Sequence, residues 1–68
     1  MKTEIFEADA FTGRKEQLLA TLDSDYRWEK GDEIVINTGP NRWKVRVTWV
    51  QVTLESDGPR REVVALKI

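Results

Sequence analysis

Between Trp43 and Leu54 the hydrophobic pattern switches parity. Trp43, Val45, Val47 and Trp49 alternate with Lys44, Arg46 and Thr48, whereas beyond Trp49 the apolar residues are Val50, Val52 and Leu54. Successive side chains of a strand point to opposite faces, so a regular strand cannot keep both sets on one side. The run requires either a β-bulge near Thr48–Val50 or a sharp bend that passes the strand from one sheet to another. A long, coiled strand of this kind is what a small five-stranded barrel needs in order to close.

The flanking segments read as strands and turns. Lys30-Gly31-Asp32 is a turn signal before the β-branched run Glu33 to Asn37, in which Ile34 and Ile36 share one face and Val35 takes the other. Thr38-Gly39-Pro40-Asn41-Arg42 is a four- or five-residue connection, with Pro40 presetting the first central dihedral and Asn41 tolerating the second. The strand from Trp43 should then pair antiparallel with the one before it. A second turn cluster, Glu55 to Arg60, leads to a last strand, Arg61 to Ile68, with Val64, Leu66 and Ile68 on the expected inner face.

The first thirty residues are less decided. Thr3 to Ala8 reads as a strand. From Phe11 to Tyr26, helix propensity favours a helix, with Phe11, Leu18 and Leu22 on one helical face. Charge placement opposes it: Arg14 and Lys15 would sit in the first turn, and Asp23 and Asp25 near the last, against the helix dipole. As a strand, Gln17 to Leu22 alternates Leu18, Ala20 and Leu22 against Leu19 and Thr21, and Thr12-Gly13 forms a hairpin tip. The expected fold is therefore all-β, a five-stranded antiparallel meander closing into a partial barrel. The alternative is α+β, with one helix over about residues 12–23 on a four-stranded sheet.

From Gly31 to Ile68 the chain resembles small SH3-like β-barrel proteins of the kind encoded by many short bacterial and phage reading frames. Lys30-Gly31-Asp32, Ile34 and Ile36, the short turn, Trp43-x-Val45-x-x-Thr48-x-Val50 and the closing strand carry the resemblance. It implies an SH3-like barrel. Such barrels serve as nucleic-acid readers, peptide binders and structural modules, so fold analogy does not choose among them. Ribosomal-type small barrels carry glycine-rich loops and more lysine and arginine, and this chain departs from them on both counts.

Sixty-eight residues make a single domain, 1–68, of marginal intrinsic stability. The absence of cysteine removes disulfide and thiolate–metal staples. Homodimerisation offers a direct way to add buried area, and composition neither requires nor excludes it. With no histidine either, Cys/His zinc sites, Ser-His-Asp and Cys-His nucleophiles and imidazole bases are excluded. No apolar run reaches transmembrane length and no signal-peptide core follows the N-terminus, so the expectation is a cytoplasmic protein without membrane contact.

Net charge is −1 overall, but residues 1–33 carry nine acidic and five basic side chains, and residues 34–68 three acidic and six basic. The basic half is the hairpin half. Arg42, Lys44 and Arg46 form a row on one strand face, with Arg60 and Arg61 on the adjoining loop. These five could contact phosphates, or could serve as a solvated face that keeps edges unpaired. Trp43 is the expected barrel cap beside Ile34 or Ile36, whereas Trp28 and Trp49 sit where strand patterning breaks and are the candidate surface aromatics. An exposed tryptophan near Arg27, Lys44 or Arg46 could stack a base or hold a peptide side chain. The acidic run Asp23, Asp25, Glu29, Asp32 and Glu33 lacks the glycine and terminal glutamate of an EF-hand loop. No enzyme, cofactor or metal is expected. The leading expectation is a non-catalytic interaction or assembly module that binds protein. The alternative is a nucleic-acid-binding small barrel using Arg42, Lys44, Arg46, Arg60 and Arg61 with Trp28 or Trp49.

Overall fold

Five strands and no helix make up the computed structural model, which describes all 68 residues. They are β1 (Lys2–Ala8), β2 (Lys15–Asp23), β3 (Glu33–Thr38), β4 (Asn41–Glu55) and β5 (Gly58–Lys67). The segment left between helix and strand is thus a strand, and the charge argument outweighs helix propensity there. Thr12-Gly13 lies at the tip of the first hairpin, whose Gly13 amide donates to the Asp9 carbonyl over 2.9 Å.

The sheet order is β2-β1-β5-β4-β3. This corrects the antiparallel meander: β1 runs parallel to β5, and the sequence neighbours β2 and β3 lie at opposite edges. The two edges are not paired with each other, so the barrel is a half-barrel, consistent with the small SH3-like partial barrel expected. A terminal strand completing the sheet between the two hairpins removes two edges at once, which a meander could not do.

The parity switch is a bulge within one sheet. Val47 faces Ala65 and Trp49 faces Val64, so Thr48 has no partner of its own on β5. Val50 then returns to the face of Val45 and Val47, opposite Val63. On that inner face Ile5, Ile36, Val45, Val47, Val63 and Ala65 form the buried core, flanked by Leu19, Ala20, Leu22, Trp28, Ile34, Trp43 and Val50. Trp43 stands opposite Ile36, with the Lys67 ammonium 3.6 Å from its ring centre.

The expected inner face of β5 is inverted. Val63 and Ala65 enter the core, while Val64 is buried on the outer face, opposite Trp49 and alongside Phe6. As the central strand, β5 is covered on both sides, so its apolar run carries no alternation to read. On β2, register shifts after Ile5 and after Phe6 place extra residues on the β2 side. The first brings Leu19 against the core and leaves Leu18 opposite Phe6, exposed. The β3–β4 loop is also tighter than expected. Thr38 pairs with Asn41, Gly39 adopts φ +64°, and Pro40 takes the second central position. Gly at the first position of a two-residue hairpin supplies the positive φ that other residues avoid.

Candidate functional site

β4 is fifteen residues long and β3 only six, so β3 covers β4 from Asn41 to Arg46. The Gly31–Asp32 turn extends that cover by one residue: the Val47 amide donates to the Asp32 carbonyl and the Gly31 amide to the Val47 carbonyl, both over 2.8 Å. From Thr48 to Glu55 the side of β4 away from β5 carries no strand. An uncovered edge presents unpaired amide and carbonyl groups and can template another strand. The eight residues from Val47 to Leu54 carry no charge. Beyond the bulge, Val52 and Leu54 stand 51% and 83% exposed, and Trp49 on the opposite face is 37% exposed.

The other edges are guarded. β2 is bulged twice and begins with Lys15 and Glu16. β3 is short and begins with Glu33. Short length, bulges and charges are the ordinary protections of a free edge, and beyond the bulge at Thr48 the second half of β4 has none of them until Glu55.

The basic residues are placed together only in part. Arg42, Lys44 and Arg46 do line one face of β4, opposite Asn37, Val35 and Glu33. Glu33 engages two of them: Lys44 Nζ lies 3.3 Å from its Oε1, and Arg46 Nη2 donates to its Oε2 over 2.9 Å. The hydrogen bond from Arg46, and then Lys44, holds the Glu33 carboxyl below its ordinary range. Arg42 is exposed and in no ion pair. Arg60 is drawn off between Glu55, at 3.0 Å, and Glu4, at 3.6 Å. Arg61 is buried and donates from Nη1 to the carbonyl of Tyr26. It pins the Ser24–Lys30 segment over one end of the inner face, where it is opposite Val52.

The two candidate tryptophans part company. Trp28 packs against the core, edge-on to Tyr26 with ring centres 4.6 Å apart and planes inclined by 61°. Trp49 follows the bulge onto the outer face, the face of Lys44 and Arg46, because Arg46 faces Leu66 and Trp49 faces Val64. Asp23 and Asp25 converge on the Met1 amino group, at 2.8 and 3.2 Å. The larger cleft, about 660 Å³, lies between this pair and the Glu55–Arg60 hairpin, with Met1 its one hydrophobic residue. Ligand pockets are mostly apolar with a few placed polar groups, and this cleft is the reverse.

Residue-by-residue reading missed the uncovered edge. Its signal was the mismatch in length between the two arms of the hairpin, coupled to the uncharged run. It also missed the polar pair on the outer face of β5, where Lys15 Nζ reaches Glu62 Oε2 at 2.7 Å. No family model, curated protein or solved structure matches this chain.

Proposed function

We propose that the protein is a non-catalytic interaction module that binds protein by strand addition to the edge of β4 between Thr48 and Glu55. The observation that supports this reading is the absence of any strand on that edge, along a segment that is uncharged and bears exposed Val52 and Leu54. In strand addition the main chain supplies affinity through ladder hydrogen bonds, and alternate side chains supply selectivity. The absence of any helix long and apolar enough to cross a membrane agrees with a module meeting its partner in water, and we place it in the cytoplasm. Selection of phage-displayed linear peptides on the immobilised protein tests the reading. Enrichment of extended peptides alternating apolar and polar residues is expected, with the enrichment lost in Val52→Lys. Absence of enrichment on a chain that is monomeric at the concentration used, or equal enrichment on the variant, overturns it.

A second reading, single-stranded nucleic-acid binding, draws support from the placement of Trp49 on the face of Lys44 and Arg46. Its weakness is charge. Affinity for nucleic acid comes largely from cations that neutralise phosphates, and of the five candidate basic residues only Arg42 lies on the surface without an acidic partner.

A further inference from the structure

We infer that the strand added to the β4 edge is the β4 edge of a second copy of this chain, running antiparallel about a two-fold axis near Gln51 and Val52. The inference rests on the strand-addition reading and names its partner.

Three observations carry it. The first is the thinness of the core. Only eleven of the 68 residues are buried, three of these are polar or charged, and the largest fully buried side chains are valines. A single core in a chain of this size rarely supplies more than about 3–5 kcal/mol, and small proteins add disulfides, a metal or self-association. Cysteine is absent, and no cluster of three acidic side chains is arranged to hold a metal. Self-association is a staple still open to it.

The second is charge. At the start of the uncovered segment Lys30, Lys44 and Arg46 stand against Glu29, Asp32 and Glu33, a net of zero. At its end stand Glu55 and Asp57 against Arg60, a net of −1. Antiparallel pairing of two copies sets the neutral start of each against the acidic end of the other and keeps the two acidic ends apart. Parallel pairing would set like against like.

The third is shape. The Gly31–Asp32 turn closes the edge at Val47, so a partner strand can extend no further than Thr48. That stop and the hairpin turn after Glu55 leave a segment whose middle is Gln51–Val52. An axis beside Val52, perpendicular to the sheet, keeps the faces continuous across the join, because opposed residues of an antiparallel pair face the same side. It lays Val50, Val52 and Leu54 of one copy beside the same residues of the other, and unites two five-stranded sheets into one of ten strands. The exposed apolar residues beyond the bulge are covered by their own counterparts.

Sedimentation velocity on the full chain, from roughly 1 µM to 1 mM, spans weak to moderate association. Twice the 7.9 kDa chain mass is expected at the upper end, with dissociation on dilution. Val52→Lys and Leu54→Lys should each weaken association at least tenfold with unchanged circular dichroism. Leu54, being 83% exposed, tolerates the change without loss of folding. A chain that stays monomeric throughout overturns the inference, as does a dimer indifferent to both lysines. A monomer that still selects peptides leaves strand addition standing without the second copy. A monomer that selects none removes both.

Discussion

Thr48, the residue of β4 without a partner on β5, donates its hydroxyl hydrogen bond to the main-chain carbonyl of Val64 over 3.0 Å. The bulge residue thus ties its own side chain to the neighbouring strand at the point where the ladder is interrupted. The bulge sends Trp49 to the outer face and returns Val50 to the inner one. Everything inferred about the edge beyond it depends on that turn of the ribbon.

Thr48→Val keeps the β-branched shape and deletes the hydroxyl. A loss of about 1 kcal/mol is expected, from the usual net worth of one hydrogen bond. Urea denaturation at equilibrium measures it. Deleting Thr48 altogether removes the extra residue and lets Val47, Val50, Val52 and Leu54 alternate on the inner face of a regular strand, so the cooperative transition should persist.

Lys15 and Glu62 form the shortest ion pair of the sheet, at 2.7 Å, with the Glu62 side chain 10% exposed and the Lys15 ammonium also 4.6 Å from the centre of the Phe6 ring. Lys15→Met leaves a carboxylate largely out of water without its cation. The expected cost is about 1–3 kcal/mol, because stranding one member of such a pair costs more than the pair contributes. Lys15→Met combined with Glu62→Leu should recover part of the loss in the same denaturation experiment.

Glu33 titrates below the ordinary glutamate range because Arg46, and then Lys44, hold its charged form. A depressed carboxyl stabilises the fold above its unfolded-state pKa, and that contribution is lost as pH falls through the folded-state value. Arg46→Ala should raise the Glu33 midpoint toward the ordinary value. Carboxyl chemical shifts followed by NMR report the midpoint, and an unchanged value would show that the basic row is not tied to Glu33.

Asp9 is held down to about 2 by a hydrogen bond from Glu16, then by the backbone amides of Thr12 and Phe11, while Glu16 is raised by Asp9. The signs oppose. The Asp9 contribution persists until pH falls through about 2, whereas ionising Glu16 beside it disfavours the fold as pH rises. Glu16→Ala, which removes both the donor and the second carboxyl, should therefore return the Asp9 midpoint toward its ordinary value and flatten the stability profile over the carboxyl range, measured by NMR titration and by thermal melts at stepped pH.

Single-stranded oligothymidine titrated against tryptophan fluorescence at low salt should produce no salt-dependent quenching. The ion pairs of Lys44, Arg46 and Arg60 leave too little positive potential to hold phosphates. Quenching that weakens as salt is added would favour the nucleic-acid reading, with Trp49 its reporter.

The sequence by itself determined most of the strands and the need for a bulge or a bend between Trp43 and Leu54. Parity in a strand is a local property, and two incompatible parities in the run from Trp43 to Leu54 admit few solutions. Charges at the ends of the Lys15–Asp23 segment likewise told against a helix through a local effect, the dipole. Tertiary structure alone decided which strands are neighbours, because β1 lies parallel to β5 only after everything between them has folded. It also decided the two-sided burial of β5: a central strand is covered by neighbours that its own residues do not encode. The basic row was legible as a row, but its neutralisation was not, since Glu33 reaches Lys44 and Arg46 from across a hairpin. The uncovered edge is of the same kind. An edge is free or covered according to where other strands stop, and β3 stops at Glu33, with nine residues of β4 still to come beyond its partner Arg46.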